Sequence, residues 1–297
     1  MGPRQLAYFA RYGFETFLLR RRKPIVAGIP LTDVCNLRCR HCVVANVGRG
    51  HYSFAKIEQL LRNFHRLGVR IIYLQGGEIM TWADGSQGVG DVIRRAKALG
   101  FFKVAVVTNG TLGICDEADI VWVSVDGSQG VHDAIRGEGA FAKLMHSLAE
   151  TRHPNVNANM TINRLNVGEV ERVAALVREV PALRGISFNF HVPYPGVEDI
   201  CLPLAERAAV IDRILALKRE GHPVLNSRAG LKALKQNRWR RPLWAIQLVE
   251  NDRIYECCWG REQPGVCEKC GYGVIAEMSQ IFGGNIFAAL RSLALFN

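Results

Sequence analysis

Short apolar, β-branched runs alternate with amphipathic stretches about six times between residues 25 and 221, and nothing else in the 297-residue chain limits its fold so strongly. IVAGIPLT (25–32), RIIYLQ (70–75), FKVAVVT (102–108), IVWVSVD (120–126), VNANMTI (156–162) and GISFNF (185–190) read as strands. FAKIEQLLRNFHRLG (54–68), VGDVIRRAKALG (89–100), EGAFAKLMHSLAETR (138–152), VGEVERVAALVREV (167–180) and LAERAAVIDRILALKREG (204–221) carry apolar residues at helical spacing. Strands joined through helices run parallel, with right-handed crossovers and helices covering the sheet. Six such units fall short of a closed eight-unit barrel. The expected fold is therefore α/β: a partial (β/α)6 TIM-like barrel over residues 25–225. Residues 1–24 read as an N-terminal amphipathic helix, and 226–297 as a small cysteine-containing C-terminal extension.

In parallel α/β architectures ligands gather at the C-terminal ends of strands. The chemically suggestive residues here follow strands: the cysteine loop CNLRCRHC (35–42), Gly76-Gly77-Glu78, Thr108-Asn109, Ser124 with Asp126, and Asn189 with His191. His191 and Tyr194 are candidates for a substrate pocket, while His51 and Tyr52 read as packing for the loop. Three thiols spaced C-x3-C-x2-C differ from a zinc site, whose paired halves complete four ligands. A four-iron cluster held by Cys35, Cys39 and Cys42 would keep one iron without a protein ligand, and open coordination sites are where metals bind reactants.

Cys35-x3-Cys39-x2-Cys42 after the first strand, with Gly76-Gly77-Glu78 after the second, strongly resembles the radical S-adenosylmethionine (SAM) enzymes across about residues 25–225. The resemblance implies a [4Fe–4S] cluster on Cys35, Cys39 and Cys42, with SAM chelating the remaining iron. It implies that Gly76, Gly77 and Glu78 receive the SAM amino group, that Thr108 and Asn109 lie along the ribose or adenine, and that Ser124 and Arg136 hold the ribose and carboxylate. Reductive cleavage of SAM would then yield a 5′-deoxyadenosyl radical that abstracts hydrogen or adds to a double bond. No side chain is assigned a further catalytic role. Flavodoxin or ferredoxin is the expected electron donor. A non-catalytic iron–sulfur protein is the rival class, but it needs neither GGE nor an open iron.

The C-terminal stretch ECCWGREQPGVCEKCGYG (256–273) adds Cys258, Cys267 and Cys270 as a candidate auxiliary metal set. An auxiliary iron–sulfur cluster, structural zinc, or free thiols with one donating a hydrogen atom are all open readings. Together with the N-terminal helix and the DGxxxxHDxxRGxGxF segment, the terminal CxxCGYG resembles the adenosyl-hopene transferase group. That resemblance implies a hydrophobic substrate, an isoprenoid or other lipid. The DG…HD…RG…F segment also occurs in peptide-modifying radical SAM enzymes with SPASM or twitch extensions, which makes a peptide the alternative substrate.

Residues 4–22 place Leu6, Phe9, Ala10, Gly13, Phe14, Phe17 and Leu18 at three- and four-residue spacing and end in Arg20-Arg21-Arg22-Lys23. Packing on the barrel and lying at a membrane interface both fit that pattern. The stretch 281–297 is a second apolar helix candidate with the same two readings. A net charge of +11 favours an anionic partner without identifying it. Trp239 and Trp244 among arginines form no recognised nucleic-acid module, so packing is expected and nucleic acid is not. With nine clustered cysteines and neither a signal-like start nor a stretch of ~20 apolar residues, the expected location is the cytoplasm, or the membrane periphery.

Overall fold

The computed structural model describes residues 2–250, 252–285 and 288. In chain order its elements are α1 (Pro3–Gly13), β1 (Val26–Thr32), α2 (Phe54–Leu67), β2 (Ile71–Gly76), α3 (Val89–Leu99), β3 (Lys103–Thr108), β4 (Ile120–Ser124), α4 (Gln129–Arg136), α5 (Ala140–Glu150), β5 (Val156–Ile162), α6 (Val170–Glu179), β6 (Leu183–Phe190), α7 (Leu204–Arg219), α8 (Arg228–Gln236), β7 (Ile246–Glu250), β8 (Arg253–Glu256) and α9 (Gly273–Phe282). One eight-stranded sheet runs in the order β6-β5-β4-β3-β2-β1-β7-β8. All neighbours pair parallel except β7 with β8. The sheet is not closed, as the six-unit pattern predicts.

Successive residues of β1 and β2 turn to opposite faces of the sheet. Ala27, Ile29 and Leu31 of β1 and Ile72 and Leu74 of β2 are fully buried in one core with Ile57, Leu61 and Phe64 of α2. The last three recur at four- and three-residue spacing, so a single stripe of α2 meets the sheet. The helix begins where the Ser53 hydroxyl accepts from Lys56 N at 3.3 Å. The opposite strand face, with Gly28 and Pro30 on β1, Tyr73 and Gln75 on β2 and Asn159 and Thr161 on β5, lines the inside of the curved sheet.

Four elements were not foreseen beyond the expected strand–helix units: α4, α8, the β7–β8 hairpin and α9. The β7–β8 strands have only five and four residues, too short to show a period. They form because β1 offers β7 a free edge, at Val26–Ile246 through Gly28–Leu248. The chain from Gly271 onward lies against β6, where Phe190 N donates to Gly271 O at 3.0 Å and Gly273 N to Asn189 Oδ1 at 2.7 Å.

The N-terminal helix is shorter than expected: α1 ends at Gly13 and a π-helical turn, Phe14–Leu18, follows. Its packing reading holds on one face. Tyr8 donates to Gly68 O, Arg70 sits 5.0 Å above the Tyr8 ring, and Tyr12 donates to Lys23 O at 2.7 Å. Phe14, Phe17 and Leu18 remain 54%, 50% and 70% exposed. Trp239 stacks with Arg241 at 4.3 Å and Trp244 packs on Phe282 at 4.6 Å, both in packing roles. Of the 281–297 candidate, Ile281 and Phe282 close α9, and 286–287 and 289–297 lie outside the described residues.

Candidate functional site

The cysteine loop leaves β1 through Asp33, whose carboxylate organises its return. It accepts from Val47 N at 2.8 Å, Arg49 N at 2.9 Å and Gly50 N at 2.6 Å. Burial pushes this carboxyl up, but the converging backbone N–H groups outweigh it and hold Asp33 below the usual carboxylate range. Asn46, in the left-handed region at φ 56°, clips the loop by accepting from Cys35 N at 2.9 Å and donating to Leu37 O at 3.1 Å.

Gly76 and Gly77 press against that loop. A Cβ on Gly76 would lie 2.1 Å from Thr32 O, and one on Gly77 2.2 Å from Val34 O. Gly77 N and Glu78 N donate to those same two carbonyls, at 2.8 and 2.9 Å. Only glycine fits so close a backbone approach. Gly77→Ala must move the cysteine loop, and we expect a loss of at least about 2 kcal/mol, read as a drop of several degrees in melting temperature.

Glu78 is fully buried and turned away from the cavity. Its carboxylate accepts from Thr108 Oγ1 at 2.7 Å, Asn109 N at 2.7 Å and Met80 N at 3.1 Å. Burial raises its pKa in spite of those donors. Glu78 therefore ties the GGE turn to the end of β3 and so positions Asn109. The Asn109 amide in turn donates to Asn36 Oδ1 at 2.9 Å and points at Cys35 Sγ, 3.8 Å away.

Arg136 ends α4, the helix missed in the sequence, and is buried. Its Nε and Nη2 both reach Asp126 Oδ2 at 2.7 Å, while Nη1 lies 3.9 Å from Cys39 Sγ. Asp126, fully buried, also accepts from Thr161 N at 3.1 Å. Burial lifts the Asp126 carboxyl, and Arg136, the largest opposing influence, leaves it below its ordinary value. Burial also lifts the Cys39 thiol to about 11 against the pull of Arg136. His41, within the loop, is drawn down to about 4 by burial, and its Nδ1 has no hydrogen-bond partner.

Cys35, Cys39, Cys42, Gly76, Gly77, Thr108, Asn109, Ser124 and Arg136 all line one cavity of about 730 Å³, and so do His191 and Tyr194. The N–H donors at the sulfurs, with Leu37 N 3.4 Å from Cys35 Sγ, suit thiolates, and His41 Nδ1 is a buried polar atom awaiting a partner. These residues fit an iron–sulfur cluster. Among the described residues no three His, Cys, Asp or Glu side chains converge as a single ion requires.

Asn159, Thr161 and Ser187, also on the cavity wall, escaped the sequence reading. The signal for them is polar residues at every second position in VNANMTI and GISFNF. Asp126, noticed only as a strand-end residue, proves to be the partner that aims Arg136.

Two of the four C-terminal cysteines meet the same cavity from the open side of the sheet. Cys257 and Cys258 line it beside Tyr194, Trp259 and Tyr272. Tyr194 stacks on Trp259 with centroids 4.8 Å apart. Cys257 sits at φ 70°, and hydrogen bonding with its thiol and with the Tyr194 hydroxyl holds the Cys258 thiol below its ordinary value against the effect of burial. Cys270 is buried and accepts from Tyr272 N at 3.4 Å, and neither Cys270 nor Cys267 is on the cavity wall.

A family model described as the radical SAM superfamily matches residues 29–177. Over 196 residues the chain is 29% identical to the antilisterial bacteriocin subtilosin biosynthesis protein AlbA of Bacillus subtilis, covering 61% of this chain and 42% of that one. It is 30% identical over 273 residues to the pre-heme d1 synthase of Dinoroseobacter shibae, covering 82% of this chain and 65% of the relative. The chain spans less than half the length of the first curated relatives it matches. Among solved structures, Streptococcus suis SuiB bound to the precursor peptide SuiA superposes with a TM-score of 0.65 at 14% identity, covering 96% of this chain and 72% of SuiB.

Proposed function

The chain belongs to the radical SAM superfamily, and from that membership and the shape of its cavity we propose that it modifies an amphiphilic substrate, an isoprenoid or related lipid, whose reactive end lies at the cysteine loop. It is an enzyme of the kind that uses a [4Fe–4S] cluster and SAM. Cys35, Cys39 and Cys42 would hold the cluster. Gly76, Gly77, Thr108, Asn109 and Ser124 would hold SAM, with Glu78 acting through the segment it ties to β3. When bound, cluster and SAM supply one-electron reductive chemistry able to attack an unactivated C–H or C=C bond.

The chain's own residues would do the rest. Arg136, held by Asp126, presents positive charge to Cys39 and favours its thiolate. Asn109 and Leu37 N offer donors to Cys35. Tyr194, Trp259 and Tyr272 would cover the reacting end and exclude water. Cys258, Cys267 and Cys270 are the set that would hold an auxiliary iron–sulfur cluster. The basic surface suits an acidic electron donor such as flavodoxin or ferredoxin.

The observation that carries the lipid reading is the cavity wall, mostly apolar beyond the cysteine loop. Anaerobic incubation with SAM, dithionite and a total lipid extract should consume SAM faster than incubation without lipid and should yield a mass-shifted lipid. A second reading, radical modification of a peptide, is favoured by the named relatives over a lipid, since AlbA is named for bacteriocin biosynthesis and SuiB is seen with a precursor peptide. A mass shift confined to peptides in the parallel incubation with proteolysed cell extract would replace the first reading by the second.

Peripheral membrane contact belongs to the lipid reading. No helix among the described residues is long and apolar enough to cross a membrane. The exposed Phe14, Phe17 and Leu18 beside Arg20–Lys23 would insert at the interface. Changing these three residues to serine leaves the Tyr8 and Tyr12 contacts in place, and sedimentation with anionic vesicles should fall at least fivefold. Unchanged sedimentation would argue against this contact.

A further inference from the structure

We infer that the bore of the partial barrel is a channel for a long apolar chain, entered from the α1 end and tightest midway, at Gly28. This deepens the amphiphile reading and rests on it. The cavity touches both ends of β1, with Val26 and Thr32 each on its wall. Seven extended residues at about 3.3 Å each make this roughly 20 Å long, longer than one leaflet of a hydrocarbon layer about 30 Å thick.

Its walls change character along that length. Near the cysteine loop they carry Ser124, Asn159, Thr161, Ser187 and Asn189. At the other end they carry Val26, Ile71 and Ile246, one row of the β-ladder, faced by Tyr12, Met278 and Phe282. A polar chamber continuous with an apolar one matches a molecule with a reactive head and a hydrocarbon tail. A peptide threaded the same way would need a partner for each backbone N–H and C=O. Tyr12, at the far end, already spends its hydroxyl on Lys23 O, which leaves Gln247 Oε1, one acceptor, as the unpartnered side-chain oxygen beside that row among the described residues.

A TIM-type barrel ordinarily fills its centre with branched side chains. Here β1 points Gly28 and Pro30 inward instead. A Cβ on Gly28 would come 2.8 Å from Leu248 Cδ1 and 3.2 Å from Gln75 Nε2, so these two side chains already close over Gly28 and make it the tight point between the two chambers. At the far mouth Phe17 lies on the cavity wall and is also half exposed, with its ring 6.2 Å from that of Phe282. That rim is apolar, and the run Arg20–Lys23 follows it. A chain leaving an anionic lipid surface would meet this arrangement first.

The test uses the full chain, anaerobically reconstituted with cluster and SAM, and radiolabelled geranylgeraniol (twenty carbons) and geraniol (ten carbons) as probes in equilibrium binding. Gly28→Phe should weaken geranylgeraniol at least tenfold and geraniol less than twofold. Gly28→Ala, which the terminal methyl of Leu248 can accommodate, should give a smaller loss in the same order and guards against misfolding of the larger variant. Geranylgeraniol binding that neither variant alters, or an equal loss for both alcohols, overturns the channel while leaving the amphiphile reading standing. Failure of the native protein to bind either alcohol overturns both.

Discussion

Cys39→Ala is expected to abolish 5′-deoxyadenosine formation from SAM and dithionite under anaerobic conditions and to lower iron content together with the visible absorbance of the reconstituted protein. Loss of an outer partner of a metal ligand already costs roughly 10- to 100-fold. Loss of one of only three thiols should therefore exceed about 100-fold. Cys39 is the thiol that faces Arg136, so its removal also takes away the neighbour of Arg136 Nη1, while Nε and Nη2 stay on Asp126. Cys115→Ala is the matched control: Cys115 is buried too, but its thiol donates to Glu117 Oε2 at 3.4 Å, away from the cavity. Iron content equal to the native level in both variants would refute the assignment of Cys39.

The second large effect belongs to Arg136→Met. Asp126 is fully buried, and deleting its guanidinium partner leaves an uncompensated carboxylate, a change that costs about 3–5 kcal/mol in comparable buried pairs. The melting temperature should drop by on the order of 10 °C near neutral pH. The pH dependence of that loss identifies its cause. In the native protein the Asp126 carboxyl lies below its ordinary value, so its contribution is present above the unfolded pKa of about 3.9 and fades as pH falls through the folded value.

Without Arg136, burial dominates and the folded pKa rises above the unfolded one. The folded variant then holds a proton that the unfolded chain has released, and its stability should increase as pH falls from 7 toward 5. His41 and His132, which Arg136 helps burial to hold low, would be released in the same direction. A deficit that stays constant from pH 7 to 5 would mean that packing, not the orphaned carboxylate, is responsible.

The fold was legible where elements are long and periodic. Strands β1 to β6 and helices α2, α3, α5, α6 and α7 lie where the alternation of pattern places them, within a few residues. It was illegible where pairing creates the element. IQLVE has no period of its own and becomes β7 because the edge of β1 is free. QGVHDAIR is too short a helix to announce itself, yet it carries Arg136 to Cys39. The expected site residues proved neighbours for the same reason that parallel strands gather their ends. What could not be read was the division of labour: Gly76 and Gly77 reach the cavity wall, while Glu78 turns its carboxylate inward to Thr108 and Asn109.

By itself the sequence determined a parallel α/β barrel segment, three thiols in one loop after its first strand, and the family to which the chain belongs. These are local matters, set by the spacing of apolar residues and by three cysteines within eight positions. Only the tertiary structure decided that the inner face of the sheet encloses a bore, that α1 and α9 line its far end, and that Cys257 and Cys258 open onto the same space as the N-terminal thiols. Those features come from side chains up to about 270 residues apart, such as Tyr12 and Phe282, meeting because the open edges of the sheet had to be covered, and no window along the chain contains them.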